Sequence, residues 1–232
     1  MRGRNIKILL AGALLLPSVA WAQDGAETPA VSIAYNAALV SDYRFRGISY
    51  TTRHPAVQVG ADLAFRSGLF LGTWTTNVSD YGSSNLEVDL YGGYGGSLAG
   101  FDYSATLYTY VYPGGVDTDY FELQATIART FGPVTSTLTF AYTPDQWNSN
   151  RDNFYAALGA DVAMGDWPLT ASFSIGRENG SYDHKLDWSA GLTYKLDALD
   201  LSASYVDSNY KGPLEAGRNA RAGIVLSARA GF

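Results

Sequence analysis

The sequence predicts an all-β protein: a transmembrane antiparallel up-and-down β-barrel of about 12 strands, following a cleavable signal peptide. Three observations carry this expectation. Apolar and polar residues alternate with period two from Val31 onward, short and long links alternate between the segments, and 17 Tyr and 25 Gly stand beside only 16% charged residues. The expected division is a signal peptide over 1–22, a short segment over 23–30 and the barrel over 31–232.

The first element is the leader. Arg2, Arg4 and Lys7 form a positive start, Ile8 to Leu16 are apolar, and Ala20-Trp21-Ala22 fits an A-x-A cleavage site, so Gln23 is expected to open the mature chain. A membrane anchor would need about 20 apolar residues, and Pro17 interrupts this run. Loss of the three basic leader residues makes the net charge of −6 more acidic still. That acidity argues against a nucleic-acid partner, which selects for a basic surface. The chain has no Cys, so disulfide and thiol chemistry are excluded.

The strands follow in order. In the first segment Val31, Ile33, Tyr35, Ala37, Leu39, Tyr43 and Phe45 fall on one face, with Ser32, Asn36, Asp42, Arg44 and Arg46 on the other. Eleven further alternating segments are expected near 55–66, 68–79, 85–96, 101–112, 118–131, 134–143, 153–164, 169–177, 184–196, 199–208 and 220–232, each close to the roughly 9–11 residues that cross a bilayer at a tilt. An even count puts both ends of the chain on one side, as in bacterial single-chain barrels. The short links fall at Ser67-Gly68, Gly96 to Gly100, Gly132-Pro133, Gly165 to Pro168 and Asp197-Ala198. The long ones fall at Gly47 to His54, Asp80 to Ser84, Pro113 to Asp117, Pro144 to Asp152, Glu178 to Asp183 and Asn209 to Asn219. With the amino terminus on the periplasmic side, every long link lands outside. The last segment ends on Phe232, resembling the terminal aromatic signal that the outer-membrane assembly machinery reads.

Aromatics near strand ends (Tyr43, Phe45, Trp74, Tyr94, Phe101, Phe131, Tyr142, Trp188 and Tyr194) are expected to form interfacial girdles. The lumen face should carry Asp42, Asp62, Glu87, Asp89, Glu122, Asp161 and Asp187 against Arg44, Arg46, Arg66, Lys185, Lys195, Arg221 and Arg229. Such charges either set the field of an open pore or pair across a narrow one and close it. Arg44 and Arg46 beside Asp42 are the candidate constriction; the competing reading is a structural salt-bridge cluster with Glu87, Asp89 and Glu122. Tyr108, Tyr110 and Tyr112 share one face of the fifth segment, which suits a stacking track for sugars, simple lumen packing or an interface belt.

Evidence for an enzyme is thin. His54 and His184 are the two histidines, both at expected loops, with Ser49 near the first and Ser181 and Asp183 near the second. No nucleophile elbow, metal-ligand spacing, phosphate loop or calcium loop is present in the sequence, so neither a catalytic residue nor a cofactor is expected.

The run SDYRFRGIS from Ser41 to Ser49 resembles the TorF-type family of outer-membrane porins. So do PAVQVGADL from Pro55, SGLFLGTW from Ser67, TNV at Thr76 to Val78, EVDLYGGY from Glu87 to Tyr94, YTYVYPG from Tyr108 to Gly114 and YFEL from Tyr120 to Leu123. The resemblance covers roughly residues 35–125. It implies an exported barrel of porin type and brings neither a substrate nor catalytic residues. Residues and resemblance together give the expectation of a channel in the outer membrane of a Gram-negative cell. Its partners would be outer-membrane lipids, the assembly machinery and small hydrophilic solutes. The alternatives are a non-conducting barrel with paired lumen charges and ligand-binding loops or, further off, a surface hydrolase.

Overall fold

The computed structural model describes residues 30–148, 151–180, 184–210 and 217–232. The expected signal peptide and nearly all of the 23–30 segment lie outside the described residues, as do Ser181 and Asp183. In chain order the strands are β1 (Val31–Val40), the short β2 (Arg44–Phe45) and β3 (Ile48–Ser49), β4 (Ala56–Phe65), β5 (Leu69–Tyr81), β6 (Ser84–Leu98) and β7 (Phe101–Val111). There follow β8 (Tyr120–Phe131), β9 (Val134–Thr143), β10 (Asn153–Ala163), β11 (Leu169–Asn179), β12 (Lys185–Leu196), β13 (Leu199–Ser208) and β14 (Gly223–Gly231).

All but β2 and β3 join one closed antiparallel barrel of twelve strands in which each strand pairs with its chain neighbours, β4 pairs with β1, and β1 pairs with β14. The seam aligns Asn36 with Gly231 and Val40 with Ser227. Beyond it Tyr35 N donates to Phe232 O (2.8 Å) and Phe232 N to Tyr35 O (3.0 Å). Closure is what hydrocarbon demands, because an open edge would leave backbone N–H and C=O groups with no partner.

The alternation sorts side chains by solvent. Leu71, Leu90, Leu158, Ile175 and Leu226 are each about half exposed on the outer wall, where lipid rather than water meets them. Their neighbours along the strands turn inward, among them Thr76, Glu87 and Thr137. Hydroxyls pair across the inner wall at Ser104–Thr126 (2.7 Å), Thr130–Thr135 (2.9 Å), Ser174–Ser189 (2.8 Å) and Ser202–Ser227 (2.7 Å). Each direct cross-strand pair is worth roughly 0.2–1 kcal/mol. The greasy surface is thus outside and the polar one inside, the reverse of a water-soluble barrel.

Both rims carry outward aromatics: Tyr94, Phe101, Phe131 and Tyr194 toward the short turns, Tyr142 and Phe154 toward the long loops, with Trp188 half-buried on the outer face. Tyr43, Phe45 and Trp74 depart from the girdle expectation. Trp74 shares its parity on β5 with Phe70, Thr76 and Val78 and points inward, 5% exposed. Tyr43 and Phe45 do not belong to the first barrel strand, which stops at Val40. After Val40 the chain turns into the lumen, because Asp42 and Arg44 find partners there that lipid cannot supply. Two cations expected on the lumen face also fall off the strands: Arg66 lies in the turn after β4 and Arg221 precedes β14, both exposed.

Candidate functional site

The site is built from residues 41–51, a hairpin folded into the barrel from the loop end. Its root is organised by Asp42. One carboxylate oxygen accepts from Ser49 Oγ (2.5 Å) and Thr51 Oγ1 (3.2 Å), and the other accepts from Arg44 Nε (2.7 Å). Arg44 pairs with Ser49 and Phe45 with Ile48 across β2 and β3, leaving Arg46 and Gly47 as the tip. Both tip residues have positive φ, 47° and 86°, the signature of a type I′ turn. Gly47 is required here on two grounds: its φ, and a Cβ that would stand 2.9 Å from the Cβ atoms of both Asp187 and Ser208. Arg46 pays for its left-handed backbone, about 1–3 kcal/mol, with the contacts its side chain makes.

Those contacts cross the lumen. Arg46 Nη2 donates to both oxygens of Glu122 on β8 (2.7 Å each), and Nη1 donates to Glu178 Oε1 on β11 (2.8 Å). Lys185 on β12 closes the network, its Nζ 2.6 Å from Glu178 Oε2 and 3.0 Å from Arg46 O. Thr143 and Asn153 donate the remaining bonds, to Glu122 (3.1 Å) and Glu178 (2.7 Å). The guanidinium also lies over the ring of Tyr155, 4.2 Å from its centroid, and over that of Phe45 at 4.6 Å. Burial alone would lower the pKa of Arg46, but Glu122 and Glu178 more than reverse this and hold it well above the ordinary arginine value.

The opposite face of the hairpin is aromatic. Tyr43 packs on Trp74 with ring centroids 5.4 Å apart, Phe45 on Tyr110 at 6.0 Å and Tyr50 on Tyr81 at 5.2 Å. Behind them Tyr112 meets Tyr81 (4.4 Å) and Tyr120 meets Tyr110 (4.5 Å). Tyr43 OH donates to Glu87 (3.0 Å). Arg44 Nη1 donates to Arg221 O (2.8 Å), tying the hairpin to the approach of β14.

The structure brings together Asp42, Arg44, Arg46 and Glu122, but not as one cluster. Arg44 pairs with Asp42, Arg46 with Glu122, and neither arginine is paired with Glu87 or Asp89 among the described contacts. Tyr108 and Tyr110 sit on the inner face of β7 and Tyr112 just past its end, each 2% exposed, which excludes the interface belt for them. Glu178 escaped the sequence reading, which placed it in a loop. The alternation Ser172, Ser174, Gly176 continues to Glu178, and β11 runs on to Asn179. His54 Nδ1 lies 3.2 Å from Thr51 O and His184 Nδ1 2.9 Å from Arg177 Nη2. Among the described residues no group of three His, Cys, Asp or Glu is placed to hold a metal.

Beneath the hairpin lies a cavity of about 220 Å³. Its ceiling is the hairpin, one wall carries Trp74, Tyr91, Tyr108 and Tyr110, and the other carries Ser189, Ser202 and Ser204. Tyr91 OH donates to Asp62 (2.6 Å) and Tyr155 OH to Asp187 (3.1 Å). Gly176 makes the second bond possible, since a Cβ there would strike the Tyr155 hydroxyl.

A closed barrel with a lipid-facing apolar wall, a polar lumen and an inward loop defines an outer-membrane β-barrel, a protein of the Gram-negative cell's outer membrane. Residues 23–228 match the family described as "Bacterial protein of unknown function (Gcw_chp)", and the chain belongs to that family. No curated protein matches it by sequence. Among solved structures it is similar to the KdgM porin (TM-score 0.58, 9% identity, covering 86% of this chain and 97% of that one). It is also similar to the COG4313 outer membrane channel from Pseudomonas putida F1 (0.54, 11%, 90% and 99%) and to the NanC porin (0.52, 9%, 86% and 98%). These likenesses are of fold.

Proposed function

We propose that the protein is a porin-like channel for passive diffusion of small hydrophilic solutes or ions, with the 41–51 hairpin as its constriction. The observation that carries this reading is a closed barrel whose lumen keeps a cavity of about 220 Å³ beneath an inward-folded loop. A barrel of this strand count is narrower than the 16–18-stranded porins that hold wide aqueous channels, so passage is restrictive. Arg44 and Arg46 are the constriction cations, opposed by Asp42 and Glu122, and Glu87 and Asp89 line the approach. The resemblance of residues 35–125 to TorF-type porins supports the same reading. It is compatible with a cleaved leader over 1–22, delivery to the assembly machinery through Phe232, and the absence of catalytic chemistry.

A second reading has its own support. Asp42, Arg44 and Arg46 are all ion-paired, as in a plug that never opens, leaving the loops to bind a partner. Planar-bilayer recording of the purified barrel separates the two. Discrete conductance steps support the channel; a silent bilayer, with insertion verified, supports the plug.

A further inference from the structure

We infer that the cavity beneath the hairpin is a binding site for a small organic cation. This names a solute class for the channel proposed above and rests on that reading. The first observation is a charge balance. Of the cations lining the cavity, Arg44 is held by Asp42 and Arg46 by Glu122 and Glu178, while Arg229 lies in register with Asp200 across β13–β14 and in the field of Asp200 and Asp62. Two further carboxyl groups line the cavity without an ion pair among the described contacts: Asp89 on β6, which lies against Glu87, and Asp187 on β12, which accepts from Tyr155 and faces Lys185 and Arg46; they stand half the barrel's circumference apart. They are 7% and 6% exposed, and Asp89 Oδ1 and Asp187 Oδ2 have no hydrogen-bond partner among the described residues. A carboxyl oxygen so deeply buried is costly unless a hydrogen-bond donor, a proton or a cation meets it.

The second observation is independent of charge. Between the two acids the wall presents Trp74, Tyr91, Tyr108, Tyr110 and Tyr155. The Trp74 Nε1 and the Tyr108 and Tyr110 hydroxyls also lack partners among the described residues, and all three side chains are more than nine-tenths buried. Aromatic faces beside carboxylates recognise ammonium and guanidinium groups. The hairpin displays the same chemistry internally, since the Arg46 guanidinium lies against Tyr155 and two carboxylates. The cavity repeats that arrangement one level lower, with no cation of the chain ion-paired to Asp89 or Asp187 among the described contacts.

The probe is choline, compared with dimethylbutanol, its uncharged carbon isostere, by titration calorimetry on the full barrel in detergent. Choline binds and dimethylbutanol does not if the inference holds. Asp89→Asn and Asp187→Asn each weaken choline binding by about tenfold or more, the loss expected for a charge-assisted contact, while Asp89→Glu and Asp187→Glu retain it. Equal binding of the isostere, binding of glucose in preference to choline, or carboxamide variants that bind like the parent overturn the inference. The comparison of choline with its isostere needs no variant, so it stands even where an Asn substitution fails to fold. Conductance recorded in parallel separates the two proposals: a barrel that conducts but ignores choline fails only this inference, and one that binds choline but never conducts fails only the channel reading.

Discussion

Arg46→Ala is the most informative single change. Arg46 supplies the hairpin's ion pairs to the far wall, three N–H···O contacts of 2.7–2.8 Å to Glu122 and Glu178. Removing one partner of a buried pair costs about 3–5 kcal/mol, because the other charge stays buried and uncompensated. Among the described contacts Glu178 keeps Lys185 and Asn153 while Glu122 keeps Thr143, which places the expected cost at the lower end, about 3 kcal/mol. Alanine at φ 47° is strained too, so no backbone energy is returned. The barrel's hydrogen-bonded wall is untouched, and the loss falls on docking of the tip. It shifts the docked-to-undocked ratio roughly a hundredfold. In single-channel recordings the variant should open more often and to larger steps than the parent, with Arg46→Lys intermediate because it keeps the charge and loses the bidentate fork. Traces indistinguishable from the parent would mean that the tip does not control the lumen.

Four further outcomes follow from the same geometry. Gly47→Ala, which alters no charge, should reproduce the Arg46→Ala recordings because its Cβ would collide with Asp187 and Ser208; unaltered recordings would show that the tip is not packed against β12 and β13. Replacing Arg44 and Arg46 together by Ala should move the reversal potential toward cation selectivity, measured in a salt gradient, and an unmoved potential would remove them from the permeation path. Leu90→Arg, at a lipid-facing position near mid-strand on β6, should lower barrel stability by about 2–4 kcal/mol in lipid unfolding titrations, whereas a lumen-facing Thr137→Ser should be near neutral. Deletion of Phe232 should slow barrel assembly in cells, followed by the heat-modifiable gel band; assembly at the parental rate would argue against a terminal signal.

Where the environment has a period, the sequence is readable. Val57 through Leu63 alternates because lipid and lumen impose opposite requirements on successive residues, with Val57, Val59 and Leu63 outward and Gln58 and Asp62 inward; the same pressure marks β6 through β14, while β5 blurs it by turning Phe70, Trp74 and Val78 inward. The hairpin is harder to see. Residues 42–46 continue the alternation of β1, so Tyr43 and Phe45 read as lipid-facing although both are inside, against Trp74 and Tyr110. Periodicity cannot tell a strand that continues from a chain that doubles back with the same spacing. Arg46-Gly47 was the available cue, since a glycine after a charged residue between two short apolar steps fits a tight I′ turn. The partners of Arg46 lie 76 and 132 residues away, and only strand order and register bring them within reach. Glu178 was lost for a local reason: an acid at a strand end resembles a loop residue unless the inward parity is followed one step further.

The two faces of the hairpin hold by different physics, and this fixes where a passage would open. On the β5–β8 side the contacts are stacked and tilted rings, each pair worth about 0.5–1.5 kcal/mol beyond its buried area, and they tolerate small displacements. On the β8–β11 side the hairpin's ion pairs converge on one guanidinium whose bonds are directional and short. Loss of that group therefore loosens the tip, leaving the Lys185 bond to the backbone carbonyl of residue 46, while Tyr43, Phe45 and Tyr50 keep the root in place. The gap so formed lies between the tip and the wall of β9 and β10, bordered by Thr137, Thr143, Asn153 and Tyr155, and it leads down to the cavity over Asp187. A solute following it would meet hydroxyls, an amide and an aromatic face before a carboxylate. Selectivity would accordingly be set by the wall beneath the hairpin, and the hairpin itself would set how often the wall is reached.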